Sequence, residues 1–183
     1  MILLNLLSFF AVATEQAVPG TRIPLQLQDY ELKTFGWEPS SMRWELVDPN
    51  GITKYFVDSN KLSATFLRKE GDYWVYSISV DAGYVQIPAF AMQGDWKIKA
   101  TFHEKPFFVL PGTHSITKTI DTIPVSTGSI FDSLNAPIYF ILDLDFSPIG
   151  HWQHAYRIDF PVLVAIALLF IIFMIVILIL RRR

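Results

Sequence analysis

The chain contains no cysteine. That removes disulfides, thiol catalysis, cysteine metal sites and a lipoprotein-type lipid anchor. No Asn-X-Ser/Thr sequon occurs, so a glycosylated ectodomain gains no support. Charge is scarce as well, at 17 % of 183 residues, where soluble domains carry about 25 %. No Lys or Arg precedes Arg22. None of the G-x-S-x-G, H-E-x-x-H, P-loop or dinucleotide-binding patterns is present, which leaves a catalytic assignment and a bound cofactor without support.

What the chain has instead is apolar: 51 % hydrophobic residues and a mean hydropathy of +0.34. The excess is concentrated in residues 160–180, an uninterrupted run of 21 followed by Arg181-Arg182-Arg183. At about 1.5 Å per residue such a helix spans roughly 31 Å, enough for a hydrocarbon core of about 30 Å. It holds no charged residue and no His, Asn, Gln, Ser, Thr or Gly. It therefore lacks both the groups of a proton or ion path and the small-xxx-small association motif. Residues 160–180 are expected to be a membrane anchor, with 181–183 as a cytoplasmic tail.

Residues 1–13, MILLNLLSFFAVA, match the apolar core of a secretory signal peptide, with Ala11 and Ala13 at the small-residue positions of a cleavage site. Cytoplasmic flanks carry the excess of Lys and Arg. The terminal arginines thus place the C-terminus in the cytoplasm and residues 14–159 outside. That outer part has a net charge of −5 against +3 for the tail, which gives no electrostatic case for nucleic acid. With no cysteine, no sequon and a minimal tail, a prokaryotic cell envelope is the expected setting.

Between the ends the apolar period is two. Ile23, Leu25 and Leu27 alternate with polar residues, as do Met42, Trp44 and Leu46. So do Trp74, Tyr76, Ile78 and Val80, and Trp96, Ile98, Ala100 and Phe102. Alternation of this kind marks strands with one buried face. Residues 52–58, 62–68 and 115–125 are further strand candidates. Turn signals separate them at Asp48-Pro49-Asn50-Gly51, Glu70-Gly71-Asp72, Ala82-Gly83 and Gln93-Gly94-Asp95. Residues 14–126 are therefore expected to form a mainly β domain, an immunoglobulin-like antiparallel sandwich. Trp44, Phe66, Trp74, Tyr76, Trp96 and Phe102 supply its bulk.

The stretch Leu46-Val47-Asp48-Pro49-Asn50-Gly51, with Ile87-Pro88 and Gly94-Asp95-Trp96-Lys97-Ile98-Lys99-Ala100, resembles the macroglobulin-type immunoglobulin-like modules. In those a strand ends in a D-P-x-G turn and a later I-P … G-x-W-x-I-x-A enters the penultimate strand. The likeness covers residues 20–126. It implies a binding or spacer module; the thioester chemistry of macroglobulins needs a cysteine in another domain, and this chain has none.

Residues 127–159 form a membrane-proximal segment. Ile138, Phe140, Leu142, Leu144 and Phe146 alternate and predict an extra strand beyond the sandwich, covered by a partner chain or by the sandwich flank, with a short buried helix as the competing reading. Asp143 and Asp145 would share one face of that strand and argue against burial in lipid. His151 and His154, spaced i, i+3, would share a helix face and could ligate zinc or copper. Trp152 and Tyr156 suit an interfacial aromatic belt. The apolar tip Pro106-Phe107-Phe108-Val109-Leu110-Pro111 offers a contact surface. Expected partner contacts are therefore Phe107, Phe108, Tyr139, Phe140, Trp152 and Tyr156.

Functionally the leading expectation is a non-catalytic single-span envelope protein whose sandwich binds another protein or serves as the outer, structural part of a membrane complex. A metal-holding subunit of a membrane redox enzyme, through His151 and His154, is one alternative. The other is a carbohydrate- or wall-binding surface protein displaying Trp37 and Tyr84.

Overall fold

In the computed structural model, residues 16–59, 61–104, 114–147 and 150–181 are described. The chain is mainly β, in antiparallel sheets, with one apolar C-terminal helix. Seven strands come first: β1 (Arg22–Thr34), β2 (Pro39–Val47), β3 (Thr53–Ser59), β4 (Ser63–Glu70), β5 (Tyr73–Gln86), β6 (Gly94–Glu104) and β7 (Ser115–Val125). A short helix α1 (Ile130–Leu134), the strands β8 (Pro137–Asp145) and β9 (His151–Asp159) and the helix α2 (Phe160–Arg181) follow. Three sheets result, in the orders β1-β5-β4, β3-β2-β6-β7 and β8-β9.

The first two sheets share one core because each alternating strand turns its apolar residues inward. Trp44 and Met42 of β2, Trp96, Ile98 and Phe102 of β6, Leu25 and Leu32 of β1, and Ile78 of β5 belong to a single buried cluster. Contact between the sheets is direct: the Tyr30 ring of β1 stacks on Phe102 of β6, centroids 6.0 Å apart. The register of β6 is the one its alternation predicts, with Trp96 buried and Lys97 exposed.

Asp48-Pro49-Asn50-Gly51 does form a turn, between β2 and β3. Gly51 takes φ +83°, a backbone conformation that L side chains rarely adopt, and donates its N–H to the Asp48 carbonyl at 2.9 Å. Asp48 itself is buried. One carboxylate oxygen accepts the Ile52 N–H at 2.8 Å and the other lies 3.2 Å from Lys54 Nζ. Burial pushes this carboxyl up, but the Ile52 N–H and Lys54 outweigh it and hold the group below the ordinary carboxylate value. A carboxyl depressed in the folded state stabilises above its unfolded pKa, about 3.9, and the contribution is lost as pH falls through the folded value. Asp48→Ala is thus expected to lower stability at pH 7 by about 1–3 kcal/mol, because it removes a buried carboxylate that holds the Ile52 N–H and Lys54. In denaturant unfolding of the full chain in detergent, the gap between wild type and variant should narrow below about pH 4. A gap that is unchanged between pH 7 and pH 3 would contradict this role.

Several expectations change. Ala82-Gly83 is not a turn between strands but a bulge inside β5: Pro24 pairs Tyr84 and Gln26 pairs Asp81, so Ala82 and Gly83 together face Leu25. Phe66 stands opposite Tyr76 on the edge strand β4, and at that edge it is exposed rather than core. Its ring leans on Trp74 and Tyr76 at 6.2 and 5.7 Å. Trp37, expected on the surface, is buried in the core cluster.

The segment from 137 to 145 is a strand, as its alternation predicts. Its partner is β9 of the same chain, in register from Pro137↔Asp159 to Asp145↔His151. The hairpin closes through the Phe146 N–H and the Gly150 carbonyl at 2.8 Å. Strand β9 then passes directly into α2, the one described helix long and apolar enough to cross a membrane.

Candidate functional site: the two faces of the β8–β9 hairpin

Because side chains alternate along a strand, the β8–β9 pairing sorts this segment into two unlike faces. On one lie Tyr139, Asp143, Asp145, His151, Gln153 and Arg157; on the other lie Phe140, Leu142, Leu144, Trp152, His154 and Tyr156. Charge and apolar surface are thereby separated although they are interleaved in sequence.

The base of the charged face docks on the protein's own domain. The Tyr139 ring lies 4.5 Å from that of Tyr55 on the edge strand β3, and its hydroxyl accepts the Gln86 N–H at 3.1 Å. Burial pushes the Tyr139 phenol up to about 12, although the Gln86 bond pulls the other way. Arg157 donates to Gln86 Oε1 at 2.5 Å and its guanidinium sits over the Tyr84 ring at 5.9 Å. The Ala89 N–H reaches the Pro137 carbonyl at 2.7 Å. These contacts give the hairpin a fixed seat and explain why the segment need not behave as a loose stalk. Farther out, Asp143 bonds to His151 and to Gln153, the latter at 3.0 Å. Those two bonds hold its carboxyl below the ordinary value, that from Gln153 contributing most. Asp145 accepts the Ser147 N–H at 2.9 Å in the turn.

The other face is a ladder of rings. Phe140 stacks on Tyr156 across the strands at 4.9 Å with 11° between planes. Along β9, His154 meets Tyr156 edge-on at 4.6 Å and stacks against Trp152 at 5.7 Å. Leu142 and Leu144 stand opposite His154 and Trp152. Nothing of the described chain covers the ladder: Phe140 and Trp152 are each 44 % exposed. Stacking of this kind holds large rings in place at low conformational cost, and such anchors carry most of the energy of protein interfaces.

The expected contact residues therefore divide. Phe140, Trp152 and Tyr156 come together on the open face, whereas Tyr139 is turned inward. Phe107 and Phe108 lie outside the described residues. His151 and His154 do not converge: on a strand, i, i+3 spacing puts them on opposite faces, one beside Asp143 and one within the ring ladder. Among the described residues no group of three or more His, Asp or Glu side chains is placed to hold a metal ion.

Two features escaped the sequence reading. Strand β9 carries its own alternation, Trp152, His154, Tyr156 and Ile158, separated from that of β8 by Ser147-Pro148-Ile149-Gly150. The helix α1 is announced by Ser129 and Asp132, a capping box in which the Ser129 side chain caps Asp132 N–H and the Asp132 carboxylate takes the Ser129 N–H at 2.6 Å. No protein-family model, no curated protein and no solved structure matches the chain.

Proposed function

We propose that this protein is a single-span, non-enzymatic subunit of a membrane complex in a prokaryotic cell envelope. In this reading α2 is the anchor, residues 14–159 face outward, and the ring ladder of β8–β9 seats another membrane protein. The observation that carries it is the two-faced hairpin itself. One face is fixed to the domain through Tyr139 and Arg157, and the other leaves Phe140, Leu142, Leu144 and Trp152 exposed on a hairpin that runs straight into an apolar helix. A rigid, uncovered aromatic face is unusual for a protein that works alone.

An immunoglobulin-like sandwich is the fold this reading assigns to the seven-stranded part. With β1 taken as strand B, the orders β1-β5-β4 and β3-β2-β6-β7 correspond to B-E-D and C′-C-F-G. Trp44 then falls on strand C, where such domains keep a buried tryptophan. The module is a platform that orients the hairpin; its likeness to macroglobulin-type modules likewise points to binding.

Isolation of the tagged chain from gently solubilised membranes tests the functional reading, which expects a second membrane protein in defined proportion. Recovery of the chain alone, in every mild detergent that keeps it folded, would contradict it. Protease added to intact cells tests the topology separately. It should digest residues 14–159 and leave a small membrane fragment; a protected outer domain would reverse the orientation.

A further inference from the structure

A second uncovered apolar surface lies beside the start of α2. Phe90, Ile130 and Phe131 are 65, 68 and 71 % exposed, and Leu134 is exposed with them. The Phe90 ring meets that of Phe160, the first residue of α2, edge-on at 5.5 Å, and α1 neighbours α2. Phe90 reaches this position in a left-handed backbone conformation, φ +56°, which a bulky residue rarely adopts without a reason elsewhere. Two bonds hold the loop there: Ala89 N–H to the Pro137 carbonyl at 2.7 Å and Phe90 N–H to Ser133 Oγ at 3.3 Å. Asp132, the only charged residue of α1, is tied back to Ser129 at 2.6 and 2.7 Å.

We propose that Phe90, Ile130, Phe131 and Leu134 form a collar bedded in the interfacial layer of a phospholipid bilayer, around the point where α2 enters it. The proposal rests on α2 being the membrane anchor. If α2 spans, its first residue stands at the hydrocarbon boundary, and rings in contact with that residue stand in the layer where aromatic side chains collect. The position of the collar beside α2 thus selects lipid, not a protein, as its cover. No Lys or Arg occurs between Lys118 and Arg157, so the α1 part of the collar carries no cation of its own for acidic headgroups, and neutral lipid suffices. Its backbone needs no hydrocarbon burial; the side chains alone reach down. Bedding of this kind would tie the domain to the surface and hold the hairpin at a fixed height and tilt.

The absence of cysteine makes single-site labelling unambiguous. The full-length protein is reconstituted into phosphatidylcholine vesicles as four single-cysteine variants, Ile130→Cys, Phe131→Cys, Leu169→Cys and Lys97→Cys, each carrying a nitroxide. Spin relaxation by oxygen, which concentrates in lipid, is compared with that by a water-soluble nickel chelate. Leu169 at the middle of α2 should favour oxygen and Lys97 on β6 should favour nickel. Labels at 130 and 131 should favour oxygen, at a depth shallower than 169. If 169 is in lipid while 130 and 131 respond to nickel as 97 does, the collar is wrong and the anchor stands. Protection of 130 and 131 from both reagents would mean that protein covers the patch, and overturns the proposal too. If 169 itself responds to nickel, the anchor reading fails and the collar falls with it.

Discussion

Trp96→Ala is expected to unfold the domain or lower its stability by about 3–5 kcal/mol, the cost of truncating a large ring in a packed core. Trp96 is 1 % exposed and sits on β6, between β2 and β7 in the larger sheet. Its indole N–H donates to the Met92 carbonyl at 2.9 Å, so the substitution removes both volume and a tether for the preceding loop. A domain of this size has roughly 5–15 kcal/mol of stability in total, and the loss is a large share of it. Lys97→Ala, one residue on and facing water, should change stability by at most about 0.5 kcal/mol. The contrast is a register test, because a slip by one residue exchanges every face of the strand. Chemical unfolding followed by tryptophan fluorescence reads both variants; a Lys97 variant more damaged than the Trp96 variant would refute the strand's orientation.

The second large effect is expected at the ring ladder. Phe140→Ala and Trp152→Ala each remove an aromatic anchor from the open face while leaving the hairpin's seat through Tyr139 and Arg157 intact. Truncation of such an anchor costs about 2–4 kcal/mol of binding, which corresponds to a loss of affinity of roughly 30-fold to 1,000-fold. Recovery of the associated membrane protein should fall accordingly, with the melting temperature of the domain nearly unchanged. Asp145→Asn, on the opposite face and accepting the Ser147 N–H in the turn, should leave recovery as it is. Equal loss from all three substitutions would show that the ladder has no special role.

The seven-stranded part was legible where pattern and burial coincide. Met42, Trp44 and Leu46, and Trp96, Ile98, Ala100 and Phe102, announce their buried faces by alternation alone, and β7 runs over the residues 115–125 that its composition predicts. The hairpin was half legible. β8 alternates strongly, but its strand partner depends on a pairing across a turn, which no local pattern contains. In β9 the spacing of His151 and His154 suggested a helix face, and the alternation of Trp152, His154 and Tyr156 was the weaker signal only in isolation. Set against β8 across Ser147–Gly150, it is the same pattern in mirror image. Asp143 and Asp145 argue against burial of this segment in lipid. They do so for one face alone, since pairing turns them away from Phe140 and Trp152. Phe66 and Trp37 mark the complementary limit: an aromatic residue has an apolar body whichever way it points, and the packing of the edge strand and of the β1–β2 connection decided their burial.

Photo-cross-linking in native membranes addresses the docking face most directly. A benzophenone amino acid placed at 140 reports the open face, and the same probe at 139 reports the seat. The probe at 139 should return products within the chain, near Tyr55 and Gln86. The probe at 140 should join the chain to a second membrane protein, and the product should vanish when Trp152 is replaced by Ala. Products at 140 that lie entirely within the chain would contradict a partner-binding ladder.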